Sequence, residues 1–141
     1  MKFKILIVDD EIEIINTLTR YLELDEHYEI DSVTDPAKAL EKVNRDKVHI
    51  VLTDIMMPGM NGIELLEKIR IIDGLSQVIM MTAFSTIDRV VECLEKGAND
   101  YILKPFDDLA EVQNIIDVTA GKLERWKKVL VSSKHSEIKP S

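Results

Sequence analysis

Five short apolar runs alternate along the chain with segments whose apolar residues recur at helical spacing. Short continuous aliphatic runs are typical of strands that are buried on both faces of a sheet. The intervening segments repeat an apolar residue every three or four positions, as at Ile15, Leu18 and Leu22, which predicts amphipathic helices. The runs are Lys4–Val8, Tyr28–Val33, His49–Thr53, Gln77–Thr82 and Tyr101–Leu103. The order is βα repeated five times, which predicts an α/β fold with a doubly wound parallel sheet between helices.

Helix boundaries are marked by capping residues. Asp35 can cap the second helix, with Pro36 at its first position. The fourth helix has an apolar stripe of Ile87, Val90, Val91 and Leu94 and a suitable end at Gly97. The last helix is expected to begin near Asp107 and Asp108. We predict one domain over residues 1–123, a helical extension over 124–131 and a disordered polar tail over 132–141.

The apolar positions of the last helix continue beyond what is needed to cover a sheet. They alternate spacings of three and four, which is the seam pattern of a coiled coil. We expect Leu123, Trp126 and Leu130 to bind a partner helix, either a second copy or another protein. The alternatives are that Trp126 folds back onto the domain, or that the segment links to a further domain.

Composition and charge narrow the class of function. The 141 residues, 45% hydrophobic and 31% charged, suit one globular domain. A net charge of −8 argues against purely electrostatic binding of nucleic acid and is compatible with divalent cations and protein partners. The single cysteine, Cys93, excludes an intrachain disulfide and favours the cytoplasm. No signal peptide or membrane-length apolar run is evident.

Polar side chains that could bind a metal or take part in catalysis lie at the ends of four of the five predicted strands. Asp9 and Asp10 follow the first strand, Asp54 the third and Lys104 the fifth, while Thr82 ends the fourth. The functional crevice of an open parallel sheet lies at the carboxyl ends of its strands, so these groups should converge. Clustered carboxylates repel one another unless a cation is bound, and an oxygen-only open site suits Mg²⁺. A carboxylate there can act as a nucleophile toward phosphorus, with the Lys104 and Thr82 side chains contacting the phosphoryl oxygens.

The chain resembles the receiver domains of two-component response regulators, including chemotaxis regulators. The resembling segments are ILIVDDE at 5–11, VLTDIMMPGMNGIELL at 51–66, VIMMTAF at 78–84 and GANDYILKPF at 97–106. With the matching order of elements, the resemblance extends over about residues 2–123. It implies a flavodoxin-like, five-stranded sheet in the order 2-1-3-4-5, flanked by five helices.

The resemblance also implies roles at the phosphorylation site. Asp54 would be the phosphoacceptor and, with Asp10 and the backbone carbonyl of Met56, a direct ligand of Mg²⁺ or Mn²⁺. Asp9 would act mostly through water. Lys104 would contact the phosphoryl group.

Further roles implied by the family concern the switch and the phosphoryl lifetime. Thr82 would move toward the phosphoryl group and the Tyr101 ring would turn inward, while the Lys104–Pro105 bond would be cis. Met56 and Phe84 replace the polar residues often found at these positions, and their apolar side chains cannot orient an attacking water. We therefore expect slow hydrolysis, unless the two side chains simply cover the site.

The function expected is a phosphorylation-dependent signalling switch without separate substrate turnover. Its partners would be a sensor histidine kinase or phosphotransfer protein, a downstream protein or output domain, and, in a homodimer, a second copy. A Mg²⁺-dependent phosphatase is less suitable, because it often has an acid where Met56 stands and needs a substrate-holding cap. A flavin binder would need a phosphate-cradling loop after the first strand, where this chain has acids. The chain would be either a single-domain regulator or a piece of a longer one.

Overall fold

The computed structural model describes residues 2–83 and 86–138. Strands and helices alternate throughout, as the hydrophobic pattern predicts. The elements are β1 Phe3–Val8, α1 Ile12–Leu22, β2 Tyr28–Val33, α2 Pro36–Arg45, β3 Ile50–Asp54, α3 Gly62–Ile72, β4 Gln77–Thr82, α4 Ile87–Glu95, β5 Asp100–Leu103 and α5 Leu109–Ile138.

The five strands form one parallel sheet in the order β2-β1-β3-β4-β5. The predicted fold class and strand order are therefore confirmed. In the register of the central strands Val8 lies beside Thr53 and Asp54 lies beside Met81. All five strands point the same way, so their carboxyl ends meet at one edge of the sheet.

Two hydrophobic cores lie on opposite faces of the sheet. Successive side chains of a strand point to opposite faces, so Leu6 and Val8 enter one core while Ile5 and Ile7 enter the other. Helices α2, α3 and α4 cover the first face, and helices α1 and α5 cover the second. Each fully buried aliphatic side chain stabilises the fold by about 1.5–3 kcal/mol.

Side-chain caps fix where α2 and α3 begin. The Asp35 carboxylate accepts a hydrogen bond of 2.9 Å from the backbone amide of Ala37, and Pro36 occupies the first turn, as predicted. The Asn61 side chain accepts 2.9 Å bonds from the amides of Ile63 and Glu64. Such caps contribute about 1 kcal/mol each. The Asn61 cap starts α3 close behind the end of β3.

Helix α4 packs differently from what its apolar stripe suggests. The helix forms where the sequence predicts it, but its buried residue is Cys93. Ile87 is 83% exposed, and Val91 and Leu94 are also exposed. Burial raises the pKa of the Cys93 thiol, with a further contribution from Glu92. The stripe therefore marks a surface of the domain and not its core.

Helix α5 continues to Ile138, beyond the predicted helical limit at residue 131. Its first half covers the sheet through Val112, Ile116 and Ala120. Farther along, the Lys122 ammonium lies 5.7 Å from the centre of the Trp126 ring. In the described part of the chain, no helix is long and apolar enough to cross a membrane.

Candidate functional site

Four buried polar side chains meet at the carboxyl edge of the sheet. Asp9 follows β1, Asp54 ends β3, Thr82 ends β4 and Lys104 follows β5. Asp9 is fully buried and the other three are also buried. Buried charges are rare unless they are paired or bind a metal, so this edge is the leading candidate for a functional site.

Lys104 connects the two buried carboxylates. Its ammonium lies 2.5 Å from Oδ2 of Asp9 and 3.2 Å from Oδ2 of Asp54. Its backbone amide donates a 2.8 Å bond to the carbonyl of Thr82, which anchors the residue to the end of β4. The Lys104–Pro105 peptide bond is cis. One buried cation is thus held between two buried anions.

The acidic side chains form a cluster with the composition of a metal site. Carboxylate oxygens of Asp9, Asp10, Glu11 and Asp54 can all lie within 4.8 Å of one another. Glu11 was not predicted as part of this site, although its place directly after two acids was a signal. Its amide donates a 2.9 Å bond to Oδ1 of Asp9, and its carboxylate lies 3.9 Å from the Lys104 ammonium. An oxygen-only donor set fits a hard divalent cation.

The backbone fixes the Asp54 carboxylate at the base of this cluster. Its Oδ1 accepts a 2.8 Å hydrogen bond from the amide of Ile55 and a longer one of 3.4 Å from the amide of Met56. Its Oδ2 faces Lys104. The neighbouring Thr53 hydroxyl donates to the Asp54 carbonyl at 3.0 Å. Both oxygens of the Asp54 carboxylate are therefore held in place, Oδ1 by backbone amides and Oδ2 by Lys104.

Gly62 supports Asp54 through close backbone contact. Its amide donates a 2.8 Å hydrogen bond to the carbonyl of Ile55. A Cβ at position 62 would lie 2.1 Å from the carbonyl oxygen of Asp54, which is far inside contact distance. Glycine is required here because of space, which the sequence motif did not reveal.

The electrostatics of the site favour a further cation. Burial raises the pKa of Asp54, the Asp9 charge raises it further, and the attraction of Lys104 opposes both. Burial disfavours the charged form of Lys104, yet its hydrogen bond to Asp9 and the charges of Asp9 and Asp54 outweigh this and raise its pKa. Four carboxyl groups thus lie around one ammonium, and a divalent cation would stabilise their ionised forms.

The other predicted residues lie around this centre. Thr82 is buried at the end of β4, and Tyr101 is half-buried against the core on the α3 face. Met80, two residues before Thr82, pairs with Tyr101 in the sheet. Met56 is 62% exposed beside Asp54. Phe84 lies outside the described residues.

The predicted partner seam lies at the other edge of the sheet. Leu123, Trp126 and Leu130 line a groove together with Phe3 and Leu75. These side chains therefore have neighbours within the domain, which agrees with the alternative in which Trp126 folds back onto it. Their predicted role in binding a partner remains a proposal.

Comparison with known proteins identifies similar chains. The response regulator receiver domain model matches residues 5–117. The transcriptional regulatory protein CpxR homolog of Haemophilus influenzae is 40% identical over 121 residues, or 84% of this chain and 52% of that protein. Sporulation initiation phosphotransferase F of Bacillus subtilis is 38% identical over 107 residues, or 76% of this chain and 86% of that protein.

Solved structures show the same architecture. A response regulator receiver domain protein from Methanospirillum hungatei superimposes with a TM-score of 0.78 at 30% identity, covering 91% of this chain and 98% of that one. The chain spans about half the length of the CpxR homolog and most of the sporulation phosphotransferase.

Proposed function

Because the chain belongs to the response regulator receiver domain family, we propose that it accepts a phosphoryl group on Asp54. Members of this family are phosphorylation-dependent switches of two-component systems. The observation that carries the assignment to Asp54 is its place between Lys104 and the acidic cluster. Asp54 is the carboxylate at the end of the central strand and has one oxygen held by backbone amides and the other facing an ammonium.

The transfer step needs one nucleophile and strong charge compensation. An oxygen of the Asp54 carboxylate attacks phosphorus, a P–O bond forms, and the bond to the leaving group breaks with its electron pair on that group. With a phosphohistidine donor the leaving group is an imidazole nitrogen. Lys104 neutralises charge on the phosphoryl oxygens, and the Thr82 hydroxyl donates to one of them. Positioning and electrostatics supply most of the catalysis of such transfers.

The acidic cluster would hold the metal ion that this chemistry uses. Asp10, Asp54 and the Met56 carbonyl would bind Mg²⁺ or Mn²⁺ directly, with Asp9 acting through water, and the ion would neutralise phosphoryl oxygens. Glu11 is close enough to the same cluster to contribute charge. The fit rests on the oxygen-only chemistry of these side chains.

The switch would follow from a change of partners around Lys104. In the unphosphorylated protein its ammonium pairs with Asp9 and Asp54. A phosphoryl group on Asp54 would attract both Lys104 and the Thr82 hydroxyl, and Tyr101 would turn inward. The equilibrium between two conformers would then shift, and a partner would recognise the changed conformation at the exposed surface of α4.

The remaining assignments follow from the family. The donor would be a sensor histidine kinase or phosphotransfer protein, and the receiver of the signal a downstream protein or an output domain. A homodimer is compatible with the apolar side chains exposed on α4 and α5. We propose a cytoplasmic location and no turnover of a separate substrate, apart from hydrolysis of the domain's own phosphoryl group.

Amide NMR with beryllofluoride, a phosphoryl mimic, tests the switch. In the parent protein with Mg²⁺, we expect amide shifts to change from β4 through β5 and along α4. Asp54→Asn should abolish the change, because the mimic needs the carboxylate. Asp35→Asn is the matched control, since asparagine also caps a helix. An unaltered response in Asp54→Asn would refute the assignment.

A further inference from the structure

A groove opens at the amino edge of the sheet, away from Asp54. One wall is the extension of α5, and the other is formed by Phe3 at the start of β1 and by residues of the segments that precede β3 and β4. Its apolar lining includes Phe3, Leu75, Trp126 and Leu130, and its polar lining consists of Lys47, His49 and Lys127. Its volume of about 320 Å³ lies at the lower end of the range for small-molecule sites, about 300–1,000 Å³. The five residues of β3 separate it from Asp54 by roughly 15 Å.

The walls of the groove are apolar and partly open to water. Trp126 is half-buried and Leu130 is 53% exposed on the α5 side. Phe3 is buried and Leu75 is partly exposed on the opposite side. Covering partly exposed leucine and tryptophan surfaces with an apolar group is favourable, because it removes apolar surface from water. The groove is thus shaped for the apolar part of a ligand.

The charged groups of the groove are cationic, although the chain as a whole carries −8. Lys47 and Lys127 both line it. The Lys47 ammonium is held 2.9 Å from a carboxylate oxygen of Asp73. That contact keeps Lys47 at the rim but uses one of the three donors that an ammonium carries. The groove therefore combines an apolar interior with two ammonium groups at its border, one of which is paired with Asp73.

His49 adds a neutral donor to the wall. Its Nδ1 accepts a 2.9 Å hydrogen bond from the backbone amide of Lys4, so the proton of the neutral ring is on Nε2. Phe3 packs edge-on against the ring, with 5.3 Å between centroids. Burial lowers the pKa of His49, Lys47 and Lys127 lower it further, and Asp73 opposes them. Burial is therefore the main reason that the His49 ring stays neutral, and the lysines act in the same direction.

We propose that this groove binds a small amphiphilic carboxylate of the medium-chain or arylalkyl type. The hydrocarbon part lies between Trp126, Leu130 and Leu75, and the carboxylate faces Lys47 and Lys127. A cationic amphiphile would meet like charge at the rim, and an uncharged one would lack the charge-assisted hydrogen bonds. The groove does not include Asp54, so binding of this ligand does not depend on phosphorylation of Asp54.

Trp126 is the only tryptophan and lies in the groove wall, so its fluorescence reports binding. The probes are octanoate, octanol and octylammonium, titrated into the full chain below their aggregation concentrations. Octanoate should give a saturable change, with an affinity about tenfold higher than that of octylammonium, which corresponds to roughly one charge-assisted hydrogen bond. Octanoate should also raise the melting temperature, because it binds only the folded protein.

Variants of the two lysines test whether their charges, and not a change in the fold, determine binding of the carboxylate. Lys47→Gln with Lys127→Gln should weaken octanoate binding about tenfold and leave octanol binding unchanged. Lys38→Gln, on the exposed face of α2, is the matched control, and an unchanged far-UV circular dichroism spectrum shows that each variant is folded. The proposal is overturned if octanoate gives no saturable change or if octylammonium binds equally well. It is also overturned if the signal follows protein concentration and dimer formation in sedimentation, which would assign the groove to a second copy.

Discussion

Lys104 pairs more closely with Asp9 than with Asp54, at 2.5 Å against 3.2 Å, although Asp54 is the proposed phosphoacceptor. Both carboxylates are buried, so the ammonium is their main compensating charge. Asp9 thus holds Lys104 beside the Asp54 carboxylate before any phosphoryl group arrives. The Lys104 ammonium is therefore already close to Asp54 before the reaction, and Asp9 remains its closer partner.

Replacing Lys104 should uncouple phosphorylation from the conformational response. Lys104→Ala removes the ammonium that draws the phosphoryl group and the end of β4 together, so some phosphorylation should persist while amide shifts across residues 86–105 stay near their resting values. Without metal, the unpaired buried acids should also lower the free energy of unfolding by about 3–5 kcal/mol. Lys96→Ala is the control, because Lys96 pairs with Glu67 in an exposed contact. A full shift response in Lys104→Ala would contradict this role.

Gly62 should be intolerant of even one added methyl group. In Gly62→Ala the new Cβ would lie 2.1 Å from the Asp54 carbonyl oxygen, so the backbone behind the phosphoacceptor must move. We expect a loss of stability in urea unfolding of about 1–3 kcal/mol, as for overpacked sites, and slower phosphorylation.

Gly121→Ala is the matched control for this prediction. Gly121 lies within helix α5, and nothing is within 4 Å of a Cβ added there. The same substitution should therefore stabilise the protein by about 1 kcal/mol, through helix propensity alone. Equal effects of the two substitutions would show that contact with Asp54 is not what restricts position 62.

Removing Asp10 should weaken metal binding more than removing its neighbour Glu11. Asp10→Ala deletes a proposed direct ligand as well as a charge, whereas Glu11→Ala deletes a charge of the same cluster. Isothermal titration with Mg²⁺ measures both, and Asp35→Ala is a control for loss of a remote acid. An unchanged titration for Asp10→Ala would remove it from the ligand set. A larger effect for Glu11→Ala would exchange the two roles.

A polar residue at position 56 should shorten the life of the phosphoryl group. Met56 is exposed beside Asp54, and its thioether cannot orient a water for attack. Met56→Asn should therefore speed hydrolysis several-fold, measured as loss of phosphate after removal of the donor. Phe84→Glu is expected to act in the same direction. Met56→Leu, which changes shape but not polarity, should leave the rate near that of the parent, and equal rates in all of these proteins would exclude tuning at these positions.

The fold and the centre of the site could be predicted because they depend on local patterns. Apolar runs that end in Asp9, Asp54 and Lys104 require only strand periodicity and the rule that parallel strands end at one edge. The close approach of Gly62 to the Asp54 carbonyl and the packing of α4 through Cys93 depend on tertiary distances that periodicity does not contain.

The helix extension shows the same limit. The spacing of Leu123, Trp126 and Leu130 predicts a helical seam, but it does not reveal that Phe3 and Leu75 lie opposite to it. The contacts join the first strand of the chain to its last helix. The spacing of apolar residues therefore predicts the wall of the groove that α5 forms, but the opposite wall is known only from the folded structure.

Mapping the phosphorylated residue tests the central claim most directly. The chain is incubated with acetyl phosphate and Mg²⁺, the acyl phosphate is reduced with borohydride, and the digested peptides are sequenced by mass spectrometry. Reduction converts a phosphorylated aspartate to homoserine and leaves other aspartates unchanged. The account predicts homoserine at position 54, dependent on Mg²⁺ and absent from Asp54→Asn. Homoserine at another aspartate of the parent protein, or undiminished labelling of Asp54→Asn, would contradict it.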